Sequence, residues 1–195
     1  MTRLRRGLAA AALAVSVLGA GAPAPLGEAS TAPRDDEFYL SVDLSARTLS
    51  VVRNGETVNS YPVAIGQPAH PTPTGEYRIR HIVWNPRWVP PDARWARGKR
   101  PRDPGDPRNP MGRVKMFFRD PDLYVHGTRE TDSLGEAESH GCVRMSNSTV
   151  IAVARQVMEH GGEPRPAGWF RRVLDSVTAT RQVYLSRPVL IKIHR

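Results

Sequence analysis

The sequence predicts a mainly β domain that carries two helices near its carboxyl end. Short segments that alternate apolar and polar residues recur before residue 147, as is typical of strands with one buried face. The two segments with helical spacing of apolar residues both follow this position. A chain of 195 residues is long enough for one domain with a hydrophobic core. Many short strands followed by two helices therefore indicate a mainly β fold.

The amino terminus has the layout of a secretory signal over residues 1–24. Three arginines lie among the first six residues, an apolar run covers residues 7–18, and small residues follow it. This run is shorter than the about 20 apolar residues of a transmembrane helix, although prolines near the cleavage region leave an uncleaved membrane anchor open. Residues 25–36 are expected as a flexible lead-in to a domain over residues 37–195. We therefore expect an exported protein in the periplasm or cell wall.

Six strands are expected before the first helix, and strand-like residues return at the end of the chain. The six span residues 38–42, 48–53, 56–65, 76–83, 114–118 and 123–126. Asn54-Gly55 is the preferred pair for a tight hairpin turn between the second and third strands. The two prolines of residues 71–75 lack amide donors, which predicts a surface turn. Pro188 interrupts the final strand-like stretch, residues 183–193, and predicts an edge position in the sheet.

Two helices are expected after the last of these six strands. The first spans residues 148–160, with Ser146 or Asn147 as its cap and a pair of glycines at its end. The second spans about residues 166–179. Its apolar side chains, which we expect to be buried, are Trp169, Phe170, Val173, Leu174 and Val177.

Residues 84–112 are predicted to form a lid or wall of a cleft. The segment holds seven prolines and three of the four tryptophans, so it is too Pro-rich for regular structure and too aromatic for a plain linker. Its tryptophans, Trp84, Trp88 and Trp95, could stack on sugar rings or shield a reactive group from water. Anchoring of the long loop to the core is the alternative role, and the sequence leaves both open.

Cys142 is the only cysteine of the chain, and it lies in a stretch of mostly polar and small residues. The stretch reads Ser139-His140-Gly141-Cys142-Val143-Arg144-Met145-Ser146-Asn147. A thiolate is a nucleophile when an imidazole can take its proton, whereas an inert buried cysteine would have apolar neighbours. In an exported protein, one unpaired cysteine indicates either an intermolecular bridge or a reactive thiol. The polar surroundings favour a reactive thiol.

Two histidines, His126 and His140, could activate the thiol. His140 is two residues from Cys142, and such neighbours in an extended segment lie about 6 to 7 Å apart, which is long for a hydrogen bond. His126 comes from a separate strand and can face the sulfur directly. An imidazolium there, with the start of the following helix, would lower the pKa of the thiol, so we expect a preformed ion pair. The backbone amides of Gly141 and Cys142 are expected as oxyanion donors.

The stretch around Cys142, together with Tyr124-Val125-His126-Gly127-Thr128, resembles the signature of the L,D-transpeptidase catalytic domain, or YkuD, family. Both motifs occur in the family's order. The likeness continues through Val42-Asp43-Leu44, Asn54-Gly55, residues 71–75 and Asn109-Pro110-Met111-Gly112, so it covers about residues 38–195. The resemblance implies a β-sandwich with helices packed beside it.

The resemblance also implies roles for the site residues. Cys142 would be the nucleophile and His126 the base, with the backbone carbonyl of Gly127 fixing the tautomer of the ring. Arg144 would lie beside the substrate, where its planar fork suits a carboxylate, although a structural salt bridge is the alternative. The other candidates for the substrate site are His140, which we expect to shape it, Ser139, which either braces the loop or donates a bond, and Asn147, which either orders the loop and caps the helix or touches substrate.

The activity implied by the resemblance belongs to cell-wall synthesis and the maintenance of cell shape. The thiol would attack the amide between the third residue of a peptidoglycan tetrapeptide stem, a diamino acid, and the terminal D-alanine. Release of D-alanine would leave a thioester, which an amine of another stem resolves as a cross-link. No metal or organic cofactor is needed.

Three other functions compete with this one. Water as acceptor would make the protein an L,D-carboxypeptidase or hydrolase. A non-catalytic module that binds the cell wall would use the basic surface and the tryptophans. Zinc binding through His126, His140 and Cys142 is the third, but these residues lack the usual ligand spacing.

The charge of the chain indicates an anionic partner. The formal charge is +9, and it falls to +6 without residues 1–24, which contain three arginines and no acid. An exported protein meets anionic wall polymers and membrane surfaces first. The arginines are spread along the chain without a groove-binding pattern, which argues against nucleic acid as a partner.

Overall fold

The computed structural model describes residues 37–176 and 178–195. The predicted signal over residues 1–24, the predicted lead-in over residues 25–36 and the predicted burial of Val177 lie outside the described residues. Across the described ranges, none of the helices combines the length and the apolar character that a membrane span requires.

Strands outnumber helices in the described chain and hold most of its regular structure, which confirms the mainly β class. The strands are β1 (Phe38–Asp43), β2 (Thr48–Arg53), β3 (Glu56–Pro62), β4 (Ile65–Gly66), β5 (Gly75–Trp84), β6 (Val114–Arg119), β7 (Leu123–Thr128), β8 (Ala137–Ser139), β9 (Val143–Ser146) and β10 (Arg181–His194). Eight of them form one mixed sheet in the order β3-β2-β1-β10-β5-β6-β7-β9, and β4 pairs with β8 in a separate ladder. The helices are α1 (Asn147–His160) and α2 (Ala167–Asp175).

The predicted hairpin between β2 and β3 is confirmed. Asn54 has a φ of 50° and Gly55 a φ of 82°, so both central residues adopt the left-handed conformation that a tight hairpin turn requires. The predicted strand over residues 56–65 is divided, because β3 ends at Pro62 and β4 leaves the main sheet to pair with β8. The amide of Ala64 instead donates to the carbonyl of Arg144 at 3.0 Å. This crossing brings the chain against the end that carries Cys142.

The prediction of an edge position around Pro188 is wrong. β10 lies in the middle of the sheet, with β1 on one side and β5 on the other. Its pairing with β5 shifts register between Tyr184 and Val189, and its pairing with β1 begins only at Leu190. Pro188 therefore falls in an irregular stretch where no ladder requires its amide, which lets a proline occupy a central strand.

Both helices pack against the apolar core, and a side chain caps one end of each helix. Ser146 caps α1, because its hydroxyl oxygen accepts a hydrogen bond from the amide of Thr149 at 3.1 Å. α2 ends at Asp175, earlier than the predicted 179, where the side-chain amide of Asn85 donates to the last carbonyls of the helix and the chain beyond it. Those carbonyls belong to Val173, Ser176 and Ala179. Side-chain capping thus replaces the final turn.

Strands β6, β7 and β9 divide their side chains between the core and the site. Val114, Met116, Phe118, Val125, Val143 and Met145 are all buried in the core. The alternate residues point to the opposite face, because successive side chains of a strand alternate. In this sheet Lys115 of β6 pairs with His126 of β7, and His126 pairs with Arg144 of β9. The three side chains therefore lie side by side on the face away from the core.

Residues 84–112 leave and rejoin the sheet at neighbouring points. The amide of Asn85 donates to the carbonyl of Arg113 at 2.8 Å, which closes the base of the segment. The guanidinium of Arg113 also donates to the carbonyl of Leu174 near the end of α2. A short 3₁₀ helix, Arg94–Ala96, and a bridge between Trp88 and Arg102 are the regular features inside it. We call residues 84–112 the wall segment.

Candidate active site

Five of the eight predicted site residues line one cleft of about 1190 Å³, and Gly127, Gly141 and Asn147 lie outside its lining. Its lining includes Cys142, His126, Arg144, His140 and Ser139. The wall segment forms one side, as predicted, and the polar face of β6, β7 and β9 forms the floor.

The three tryptophans of the wall segment divide between the two roles that the sequence left open. Trp84 is fully buried in β5 and packs against Trp169 and Phe170, with ring centroids 5.9 and 5.4 Å away, so it anchors the segment to the core. Trp88 and Trp95 line the cleft. The ring of Trp95 stacks on His140 with centroids 4.0 Å apart, which ties the wall to the loop of the nucleophile.

His126 is a buried neutral imidazole with one fixed tautomer. Its side chain is almost fully enclosed, and Nδ1 lies 2.8 Å from the carbonyl oxygen of Gly127. A carbonyl only accepts, so Nδ1 carries the proton and Nε2 is left as an acceptor. Burial, helped by the charges of Arg144 and Lys115, lowers the pKa of His126 to about 3. At neutral pH the ring can therefore take a proton but holds no charge.

The Cys142 thiol is protonated in the resting cleft. Its S–H donates to the carbonyl oxygen of Asp122 at 3.3 Å. Burial raises the pKa of the thiol to about 11, against the opposing effects of hydrogen bonds from Tyr124 and the charges of Lys115 and Arg144. The predicted preformed ion pair is therefore wrong. The reason is that partial burial reduces the solvation of a thiolate, while the neutral ring of His126 supplies no compensating charge.

Ser139 braces the loop that presents the nucleophile. Its hydroxyl donates to the carbonyl of Cys142 at 2.5 Å and accepts from the amide of Gly141 at 3.1 Å. Gly141 has a φ of 102°, a conformation that favours glycine, and a Cβ there would lie 3.1 Å from a methyl of Leu123. The amide of Gly141 is thus engaged in this conformation, and its predicted oxyanion role requires that bond to break.

Arg144 is fixed by its backbone and partly paired through its side chain. Its amide donates to the carbonyl of Ala64 at 2.8 Å, and a guanidinium nitrogen lies 3.7 Å from a carboxylate oxygen of Glu130. The Glu130 side chain is 76% exposed, so this pair is well solvated and weak. The guanidinium remains on the cleft lining, where a ligand can reach it.

Asn147 supports the end of the strand that carries His126. Its side-chain oxygen accepts a hydrogen bond from the amide of Arg113 at 2.9 Å. A Cβ at Gly127 or at Gly112 would collide with the same oxygen, so both positions need a residue without a side chain. Asn147 is outside the cleft lining. Its contacts are those of a residue that orders the loop, the first of the two roles considered from the sequence.

Two residues at the sulfur were missed by the sequence interpretation. Tyr124 and Lys115 both line the cleft, and both interact electrostatically with Cys142. Tyr124 precedes His126 by two residues, so strand alternation alone could have placed it on the same face. Lys115 also alternates with buried neighbours in β6, but its neighbour across the sheet is set by a pairing that the local sequence does not reveal.

Within residues 37–176 and 178–195, no three side chains of His, Cys, Asp or Glu converge as metal ligands, so His126, His140 and Cys142 do not form a zinc site there. His140 instead stacks on Trp95, and its ring centroid lies 5.0 Å from that of His70 in a tilted arrangement.

The fold and the site together define a class: a mainly β protein that presents one thiol and one buried, neutral imidazole in a shared cleft. The chain matches the family model described as the L,D-transpeptidase catalytic domain (YkuD) over residues 37–185. It belongs to this family of enzymes.

Individual relatives agree with the family match. YkuD of Bacillus subtilis (strain 168) is 31% identical over 117 residues, which cover 60% of this chain and 58% of that protein. YqjB of the same strain is 27% identical over 173 residues, which cover 86% of this chain and 87% of that protein. The chain therefore spans less than two thirds of YkuD and most of YqjB.

Solved structures share the fold at low identity. The catalytic domain of the Enterococcus faecium L,D-transpeptidase superposes with a TM-score of 0.50 at 17% identity, over 80% of this chain and 97% of that one. An L,D-transpeptidase from Mycobacterium smegmatis also gives a TM-score of 0.50, at 18% identity, over 82% of this chain and 59% of that one. These likenesses confirm the fold expected from the family.

Proposed function

We propose that this protein is an exported cysteine L,D-transpeptidase that acts on the tetrapeptide stems of peptidoglycan. One observation carries the proposal: a neutral His126, held by the Gly127 carbonyl, shares a cleft with the only thiol of the chain. Membership of the L,D-transpeptidase family supports this choice of substrate. The signal layout of residues 1–24 supports export of a domain over residues 37–195.

The first half of the proposed reaction transfers an acyl group to sulfur. The Cys142 side chain turns away from the Asp122 carbonyl, and its proton passes to Nε2 of His126 as sulfur attacks the amide before the terminal D-alanine. His126 then returns the proton to the leaving nitrogen. The C–N bond breaks, D-alanine departs as a free amino acid, and the diamino acid remains on Cys142 as a thioester.

The second half regenerates the thiol. An amine of another stem attacks the thioester carbon, its proton passes through His126 to the departing sulfur, and a new amide forms the cross-link. Water in place of the amine would release a tripeptide, which is the carboxypeptidase alternative. The chemistry of both halves requires acyl and proton transfer alone, so no cofactor is assigned.

The remaining candidates have supporting roles in this proposal. The amide of Cys142, and that of Gly141 after release from Ser139, would donate to the oxyanion, and loss of one such donor typically costs about 3 kcal/mol in the barrier. Arg144 would take one of the carboxylates of the stem. His140 would hold the wall segment and Asn147 the base strand. Anionic wall polymers or a membrane surface would attract the basic protein, and nucleic acid is not proposed as a partner.

Intact-mass analysis with a purified disaccharide-tetrapeptide tests the proposal. Wild type should form an adduct that lacks the mass of D-alanine, while Cys142→Ala should form none. Cross-linked dimer among the products would support the transferase, whereas tripeptide alone would assign the hydrolase. Equal retention of wild type and Cys142→Ala on cell walls, with no turnover by either, would replace catalysis with the wall-binding module.

A further inference from the structure

Lys115 occupies the floor of the cleft beside the nucleophile. It lies on β6, directly across from His126 of β7, and it lines the cleft together with Cys142. Its ammonium nitrogen is 4.4 Å from the centroid of the Tyr124 ring and 5.7 Å from that of Phe117. These two rings hold the ammonium in place through their faces.

Among the cleft cations for which the described residues supply no ion pair, Lys115 is half-buried, whereas Lys99 and Arg100 are exposed. Arg144 lies 3.7 Å from Glu130, and Arg102 lies 3.6 Å from Asp106. For Lys115, the part of the chain that the structure describes supplies neither an ion pair nor a hydrogen bond. Its close contacts are with the two aromatic faces, and Asp122 acts on its charge from beyond ion-pair distance.

A half-buried ammonium without an ion-pair partner is unfavourable, and the lowered pKa of Lys115 reflects this cost. Burial lowers the pKa of its ammonium to about 8, even though the negative charges of a Cys142 thiolate and of Asp122 favour the protonated form. A bound anion would restore the lost solvation of the ammonium. The location of the charge indicates that this anion belongs to a ligand in the cleft.

We propose that Lys115 binds the terminal carboxylate of the donor peptide, the one on the residue that leaves. This inference rests on the proposed function for the identity of the donor. In such a donor, the carbon that sulfur attacks and the carboxylate carbon of the last residue are only about 3 to 4 Å apart. A cation beside the sulfur is therefore well placed for that carboxylate, and it would select peptides that end directly after the bond to be cleaved.

Two small alkylating reagents test the anion site without any peptide. Iodoacetate and iodoacetamide both transfer a carbon to the Cys142 sulfur with loss of iodide and of the thiol proton, but only iodoacetate carries a carboxylate. We expect Lys115→Gln to lower the ratio of the iodoacetate rate to the iodoacetamide rate by about fivefold at pH 7, the effect of about 1 kcal/mol. Lys115→Arg should keep the ratio near that of wild type.

Lys192→Gln is the matched control, because Lys192 lies on β10 in a pair with Glu76 at 3.7 Å and outside the cleft lining. Its ratio should equal that of wild type. An equal fall in both rates for Lys115→Gln would mean that the lysine only stabilises the thiolate and binds no carboxylate, which would overturn the proposal. An unchanged ratio would overturn it as well.

A second experiment tests the assignment to the donor. Wild type should turn over a tetrapeptide with a free terminal carboxylate at a lower KM than the same peptide with a terminal amide, and Lys115→Gln should remove this difference in KM. Equal KM values for wild type would refute the assignment to the terminal carboxylate. If wild type turned over neither peptide but Lys115→Gln still lowered the iodoacetate ratio, the proposed function would be refuted and the anion site would be supported.

Discussion

Cys142 and His126 are both neutral in the resting cleft, since burial moves their pKa values in opposite directions. The sulfur keeps its proton on the Asp122 carbonyl, and the ring keeps an empty acceptor at Nε2. A neutral thiol reacts slowly with small electrophiles, because the thiolate is the reactive form.

The raised pKa of Cys142 predicts how alkylation depends on pH. Because the thiol pKa is about 11, each unit of pH below that value lowers the thiolate fraction about tenfold. The rate of reaction with iodoacetamide should climb continuously from pH 7 to pH 10. The measurement is a rate profile by intact mass, with Cys142→Ala as the unreactive control. A plateau reached by pH 8 would mean that the ion pair is preformed after all.

The lowered pKa of His126 predicts a loss of stability in acid. The ring titrates near 6.5 in the unfolded chain and near 3 in the folded protein, so between these values the unfolded state binds the extra proton. The contribution of His126 is complete above pH 6.5 and is lost as the pH falls toward 3, by up to about 1.4 kcal/mol per unit. Urea unfolding of wild type and His126→Gln at pH 4 to 7.5 should show a shallower pH slope for the variant.

His194→Gln is the control for this slope, because His194 is exposed at the end of β10. It should follow the wild-type slope. Identical slopes for wild type and His126→Gln would show that the buried ring does not oppose protonation.

Among the elements, the end of β7 depends on the start of α1. Gly127 holds the tautomer of His126 through its carbonyl, and the side chain of Asn147 fills the space where a Cβ of Gly127 would lie. The position of the His126 ring is thus set by contact between two elements, which neither element specifies alone.

A double-mutant cycle tests this contact. Gly127→Ala should destabilise the fold by about 1 to 3 kcal/mol, because the new methyl meets the Asn147 side chain in a packed region. Asn147→Ala should cost about 1 to 3 kcal/mol, because the Arg113 amide loses its acceptor. The double variant should be less destabilised than the sum, since the methyl gains room. Strict additivity in urea unfolding would show that the two residues do not compete for space.

The sequence predicted the elements better than their arrangement. Local signals are sufficient for Asn54-Gly55, whose left-handed turn is intrinsic to the pair, and for Ser146, which caps its own helix. Pro188 misled the interpretation because the irregular pairing that accommodates it depends on β5. The same limit applied to the site, where the motifs indicated Cys142 and His126, while Lys115 and the direction of the thiol pKa depend on packing from distant strands.

In the whole molecule, the cleft lies between a rigid sheet face and a wall segment that is almost free of regular structure. The wall contacts the loop of the nucleophile through the stack of Trp95 on His140. Contacts of this kind are worth about 0.5 to 1.5 kcal/mol, which is enough to hold a segment in place but not to define the fold.

Trp95→Ala should therefore loosen the wall and leave the core intact. We expect hydrogen exchange to accelerate within residues 84–112 and the overall unfolding free energy to change by less than about 1.5 kcal/mol. Trp95→Phe, which keeps an aromatic face against His140, is the control and should stay close to wild type. Acceleration spread evenly over the sheet would contradict a local role for the stack.

The hydrogen bond at the base of the wall segment lets the segment change independently of the strands on either side. Because Asn85 and Arg113 meet through one hydrogen bond, the residues between them can lengthen, shorten or be exchanged without moving the strands on either side. The wall segment can therefore vary while the sheet face of the cleft keeps its position. Substitutions in this segment would therefore change one side of the cleft and leave the polar face of β6, β7 and β9 in place.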